Sequence, residues 1–92
     1  MITSFHCQDT KALFYGERVT RFVNIERVAI RKLVQLNIAA TVEFLRSPPG
    51  NFLEALKGDR KGQFSIRINQ QWRVCFCFKD GNASQVEICD YH

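Results

Sequence analysis

Lys57, Arg60, Lys61, Arg67 and Arg73, with Asp90-Tyr91-His92 at the C-terminus, are the residue types that phosphate chemistry uses. A guanidinium presents a planar fork of donors that matches two phosphate oxygens at once, whereas a lysine ammonium acts as a compact point charge. Histidine titrates near neutral pH and can move protons there. Tyrosine has an ordinary pKa of about 10, so it serves as a base only where positive charge lowers that value, and otherwise it positions. Cleavage of an RNA phosphodiester needs such a set. The ribose 2′-hydroxyl loses a proton, the charge on the phosphorane is stabilised, and the leaving 5′-oxygen gains a proton.

The elements that must hold these groups can be read from hydrophobic period. Phe64, Ile66 and Ile68 alternate with polar residues, as do Trp72, Val74, Phe76 and Phe78, so two half-buried strands are expected, with a third over Ala83 to Cys89. A one-residue slip turns every side chain over, which allows the hairpin registers to be tested. With Asn69-Gln70-Gln71 and Asp80-Gly81-Asn82 as three-residue loops, Ile68 faces Trp72, Val74 faces Ile88 and Phe76 faces Val86, an apolar floor. The opposite face then gathers Ser65, Arg67, Arg73, Cys75, Glu87, Cys89 and Tyr91, with Arg67 directly across from Arg73 and Arg73 across from Cys89. Two guanidiniums so placed repel by roughly 2–3 kcal/mol at an effective dielectric near 20, less when screened. An anion over that face converts the cost into a gain; the alternative is that the arginines splay into water or pair with Glu87.

The first half is helical. Asn24 is positioned to cap a helix whose Ile25, Val28, Ala29, Leu33 and Leu36 form a buried stripe, while Glu26, Arg27, Arg31 and Lys32 point elsewhere. Asp9 and Thr10 start a shorter helix that Gly16 stops. Ala39 to Leu45 reads as another short helix, ended by Ser47-Pro48-Pro49-Gly50. Ile2 to Phe5 is β-prone and suits a strand added to the sheet. The fold class is α+β, with N-terminal helices packed on one face of a small, mainly antiparallel sheet.

A chain of 92 residues with 46% hydrophobic content and eight Phe can fill one core, so a single domain over residues 1–92 is expected, and disorder and repeat arrays are excluded. No run approaches the roughly 18 apolar residues of a membrane span, and the N-terminus lacks a signal-peptide pattern. A soluble cytoplasmic protein with no membrane association is expected, and the cysteines, Cys7, Cys75, Cys77 and Cys89, are read as reduced thiols. A metal site would have to recruit Cys75, Cys77, Cys89 and His92, but Cys-x-Cys on a strand lacks structural zinc spacing, so no metal and no cofactor is expected. The net charge of +4 permits a polyanionic partner. It resides in the stretch from Glu54 to Lys79, with a second basic cluster at Arg18, Arg21, Arg27, Arg31 and Lys32.

The segment Leu53-Glu54-Ala55-Leu56-Lys57-Gly58-Asp59-Arg60-Lys61-Gly62-Gln63-Phe64-Ser65-Ile66-Arg67-Ile68-Asn69, then Gln71-Trp72-Arg73-Val74-Cys75-Phe76 and the terminal Asp90-Tyr91-His92, closely resembles HigB toxins of the RelE/ParE toxin–antitoxin superfamily. The N-terminal segment and the Arg46-Ser47-Pro48-Pro49-Gly50-Asn51 turn also fit, so the resemblance spans the chain. It implies a ribosome-dependent mRNA interferase that cuts mRNA in the A site of the bacterial ribosome and is neutralised by a HigA-type helix-turn-helix antitoxin, with operator DNA bound only through that partner. It also implies catalytic roles for Arg73, Tyr91, His92, Lys57 and Asp90. Of these, Arg73 would stabilise the phosphate, Tyr91 orient the nucleotide, His92 do acid/base work and Asp90 orient its neighbours. Substrate contacts would come from Arg67, Lys57, Arg60 and Lys61, and rRNA docking from the Arg18 to Lys32 cluster. Some HigB members carry histidine where this chain has Glu54, which leaves the general base open between Glu54 and other groups. The ParE branch shares the fold and poisons DNA gyrase without nuclease activity, and this is the alternative function.

Overall fold

The structure, a computed structural model, describes residues 1–90; Tyr91 and His92, both expected site residues, lie outside the described residues. Helix α1 (Gln8–Phe14) and helix α2 (Glu26–Ile38) precede 3-10 turns at Val42–Arg46 and Pro49–Asn51. Four strands follow, β1 (Glu54–Ala55), β2 (Phe64–Arg67), β3 (Trp72–Lys79) and β4 (Asn82–Asp90), with a 3-10 turn Gly58–Arg60 between the first two. They form an antiparallel sheet in the order β1-β2-β3-β4.

The expected stripe of α2 lies against this sheet. Ile25, Ala29, Leu33 and Leu36 are buried together with Leu13, Phe22, Ile66, Val74, Phe76, Val86 and Ile88, while Val28 packs at the edge. Full burial of one such side chain stabilises the fold by roughly 1.5–3 kcal/mol, so this layer supplies the principal apolar contact between helices and strands. Helix α1 is fixed by a polar contact as well, because the buried Thr10 Oγ1 accepts a hydrogen bond of 3.0 Å from the Ile88 amide.

Several local expectations are corrected. Helix α1 begins at Gln8 after Cys7, ahead of Asp9 and Thr10, and Thr10 serves as the buried acceptor just described. Ile25 occupies the start of α2, and Asn24 makes no capping bond there. The segment expected as a helix over Ala39 to Leu45 is instead a 3-10 turn, Val42–Arg46, begun by Thr41, whose hydroxyl accepts from the Phe44 amide. Lys32 does not point away from the core but is buried.

The β3–β4 hairpin is also tighter than expected. Lys79 pairs with Asn82 across Asp80 and Gly81, both at positive φ (53° and 80°), the conformation that a two-residue I′ turn requires. A bulge then absorbs one residue: Gln85 adopts φ 54°, Cys77 pairs with Ser84 and Cys75 with Glu87, so Phe76 and Val86 are not a direct pair. Beyond the bulge the expected pairs hold, with Val74 opposite Ile88 and Arg73 opposite Cys89. The N-terminal segment is not a full strand. It touches the outer edge of β4 through isolated parallel bridges, Ile2 to Ala83 and Phe5 to Val86, which cover edge groups that would otherwise be open to another chain.

Candidate active site

Strands β2 and β3 place Arg67 and Arg73 opposite one another on the face turned away from the helices. The turn between them is held by Asn69, whose Oδ1 accepts from the amides of Gln71 and Trp72, each at 2.8 Å. Arg73 donates from Nε to Ser65 Oγ at 2.8 Å and from Nη2 to the Phe52 carbonyl at 2.6 Å. Arg67 donates from Nε to the Asn69 carbonyl at 3.1 Å, and its guanidinium carbon lies 5.3 Å from the centre of the Phe52 ring. Phe52 therefore engages both guanidiniums, one through its backbone oxygen and the other through its π face, and each contact offsets part of the repulsion between the two charges. Glu87, the expected acidic partner, forms its ion pair with Arg60 instead.

Phe52 holds an uncommon conformation, at φ 44° and ψ 55°, in the left-handed region. For a bulky residue this costs on the order of 1–3 kcal/mol and persists only where the surroundings enforce it. The enforcing element is Asn51, which is fully buried. Its Nδ2 lies within hydrogen-bond reach of the carbonyls of Leu45 (3.0 Å) and Ser47 (3.3 Å) and of Gln35 Oε1 (3.1 Å), and its Oδ1 accepts from Lys32 Nζ. Gln35 also donates to the Ser47 carbonyl at 2.7 Å. Burial, and then the neighbouring Arg31 charge, lower the Lys32 ammonium below its usual range. Helix α2 thus grips the Pro-Pro-Gly-Asn turn through buried polar groups, and the turn delivers Phe52 to the arginines.

A second row crosses the same face, running in register from Glu54 to Ser65, Cys75 and Glu87. Arg60 folds over it, donating from Nη1 to Glu87 Oε1 at 2.9 Å and to Gln63 Oε1 at 3.1 Å. The hydrogen bond to Glu87 raises its guanidinium further above neutrality. Cys75 is fully buried beneath; its interaction with the neighbouring Cys89 thiol, aided by Arg60 and Arg73, lowers its thiol, while the same interaction and burial push the Cys89 thiol up, whose Sγ lies 3.9 Å from the Glu87 carbonyl. Beyond Arg60 the face opens into a polar cleft of about 600 Å³ lined by His6, Asp59, Arg60, Gln63, Gln85 and Glu87.

The other expected site residues are distributed around this face. Lys57 and Lys61 are exposed on either side of the Gly58–Arg60 turn, beyond β1. Glu54 is exposed and stands on the arginine face opposite Ser65. Asp90 pairs with Trp72, and strand alternation therefore puts it on the side opposite Arg73 and Cys89, where Gln71 donates to its Oδ2 at 3.1 Å. Among the described residues no group of three His, Cys, Asp or Glu side chains is arranged to hold a metal ion. The N-terminal basic cluster is reduced, because Lys32 is buried; Arg18, Arg21, Arg27 and Arg31 are exposed, and Arg21 pairs with Asp9 at 3.1 Å.

Sequence reasoning missed Phe52, Asn51 and the anchoring role of Ser65. The available signal was the placement of an aromatic directly after Pro-Pro-Gly-Asn, in a turn, where an apolar ring has no strand or helix to bury it.

Residues 5–92 match the family model of HigB-like toxins, described as RelE-like toxins of type II toxin–antitoxin systems. Over 60 residues the chain is 47% identical to Toxin HigB-1 of Vibrio cholerae serotype O1, a stretch covering 65% of this chain and 63% of that relative, so the chain spans less than two thirds of that relative's length. Over 40 residues it is 45% identical to Endoribonuclease HigB of Proteus vulgaris, covering 44% of each. Its fold is similar to a chain of the YoeB–YefM toxin–antitoxin heterotetramer from Staphylococcus aureus, with a TM-score of 0.58 at 19% identity, covering 100% of this chain and 95% of that one.

Proposed function

The chain belongs to the RelE-like HigB toxins of type II toxin–antitoxin systems, and from that premise we propose that it is a ribosome-dependent endoribonuclease that cleaves mRNA in the ribosomal A site. The observation that carries this reading is the cross-strand pair of Arg67 and Arg73 on the helix-free face, held by Phe52 and Ser65 in an arrangement suited to a phosphate. In this reading Arg73 and Arg67 bind the non-bridging oxygens of the scissile phosphate and stabilise the charge that grows there as the 2′-oxygen attacks phosphorus. The 2′-hydroxyl proton passes to a base, the bond from phosphorus to the 5′-oxygen breaks, and that oxygen takes a proton from an acid. Glu54, on this face opposite Ser65, is our candidate acceptor, with His92 as donor and Tyr91 orienting the nucleotide. Lys57, Lys61 and Arg60 supply charge along the RNA, and Asp90 orients the end of β4. The whole of residues 1–92 acts as one toxin domain in the cytoplasm, neutralised by a HigA-type helix-turn-helix antitoxin that carries the operator contacts.

Induced expression in bacteria, with and without that antitoxin, tests the assignment. Growth arrest accompanied by mRNA breaks inside translated codons is expected, and both should disappear in Arg73→Ala and Tyr91→Phe variants that remain folded and bind the antitoxin. Arrest of full strength from both variants, or loss of gyrase supercoiling activity with intact mRNA, contradicts the nuclease reading.

A further inference from the structure

We propose that Phe52 is a nucleobase-stacking residue, which makes the Phe52 ring and the Arg67 guanidinium a single platform for the base attached to the phosphate-binding arginines. The inference rests on the nuclease reading and names a base subsite within it. Tyr15, Phe44 and Phe52 are exposed aromatics among the described residues. Tyr15 packs edge-on against Phe5 and Phe14, and Phe44 lies in the 3-10 turn beside α2. Of these three it is Phe52 that meets the arginine pair: Arg67 stands over its ring at 5.3 Å and Arg73 donates to its carbonyl. Even with Arg67 in place, 57% of the residue remains exposed.

Phe52 is not part of the hydrophobic core, and a polar or glycine residue would hold its left-handed backbone with less strain, so beyond its contact with Arg67 the largely exposed ring has surface left for a ligand. The buried Asn51 side chain, bonded to Lys32, Gln35 and the carbonyls of Leu45 and Ser47, anchors the turn that carries Phe52. Single-stranded RNA is recognised by splaying its bases onto aromatic rings and guanidinium planes while cations hold the backbone. Both kinds of surface meet at Phe52, within reach of one nucleotide.

The experiment measures kcat/KM for cleavage on ribosomes programmed with synthetic mRNAs that carry a single abasic ribose at one position of the A-site codon. The protein is the full chain as wild type, Phe52→Leu or Phe52→Trp, all of which keep a side chain of the same handedness at this backbone. For the wild type, removal of one particular base should slow cleavage roughly 5- to 150-fold, the range that base–aromatic stacking spans. Phe52→Leu should slow cleavage of intact mRNA by a comparable factor and lose its sensitivity to that base alone, whereas Phe52→Trp should retain it. If the effects of Phe52→Leu and of the abasic site multiply at every position, or if Phe52→Leu changes nothing, Phe52 is not a base platform while the nuclease reading stands. Absence of cleavage by the folded wild type on any programmed ribosome overturns that reading and this inference with it.

Discussion

At the scale of single residues, Arg73 does two jobs that a different cation cannot combine. Its Nε and Nη2 reach Ser65 and Phe52 together, which fixes the plane of the guanidinium on the exposed face. A lysine would keep the charge and lose the fork. Arg73→Lys is therefore expected to lower kcat for ribosome-dependent cleavage by roughly 10²- to 10³-fold, the usual cost of losing one transition-state donor, with a smaller effect on KM. Single-turnover kinetics on programmed ribosomes check this, and near-normal kcat would show that charge alone suffices. The thiols make a separate prediction. Burial pushes the Cys7 thiol up, but hydrogen bonds from the side chain and backbone of Thr10, with Arg21 nearby, hold it below its usual range. Cys75 is lowered as well but is fully buried. Iodoacetamide at mildly alkaline pH should modify Cys7 first and Cys75 last, as read by peptide mass mapping, because alkylation needs both a thiolate and access. Equal rates at Cys7 and Cys75 would contradict the burial of the second row.

At the scale of elements, the site depends on a turn gripped by a helix. Asn51→Ala removes the acceptor of a buried lysine and the donor of two carbonyls. Leaving such groups unsatisfied costs roughly 1–3 kcal/mol each, more when one is charged. For a domain of this size the melting temperature should fall by about 8 °C or more. A change below about 2 °C would mean that the network does not hold the turn. Lys32 adds a pH dependence whose sign is fixed. Its folded pKa lies below the ordinary value of 10.5, so the unfolded chain binds more protons at this residue, and stability rises with pH between the two values and is lost as pH falls through the lower one. Relative to Lys32→Gln, which keeps a donor without the titration, wild-type stability should improve as pH rises toward the lysine range in denaturant titrations. The opposite slope would place the ammonium in a favourable charged setting. The Arg67–Arg73 register was legible in the sequence because alternation and loop length together admit one solution. The β3–β4 hairpin was legible only in part: a three-residue loop, and a two-residue turn followed by a bulge at Gln85, give the same pairs beyond the bulge. Apolar pattern cannot separate them. The role of Phe52 was not legible, since it arises from contacts between segments far apart in sequence.

At the scale of the molecule, helices cover one face of the sheet and leave the other to charged groups drawn from β1, β2, β3 and the turn Gly58–Arg60. The net charge of +4 favours association with a polyanion, and binding to ribosomes should weaken as salt rises. Salt-independent binding in sedimentation assays would show that charge does not drive docking. No helix among the described residues is long and apolar enough to cross a membrane. What most needs direct measurement is the cut itself: the purified protein is incubated with a reporter mRNA, alone and on programmed bacterial ribosomes, and the 5′ ends are mapped. Cleavage within the A-site codon, dependent on ribosomes and lost in Arg73→Ala, is the expected result. Intact mRNA in both reactions, from folded protein that arrests growth in cells, would contradict it.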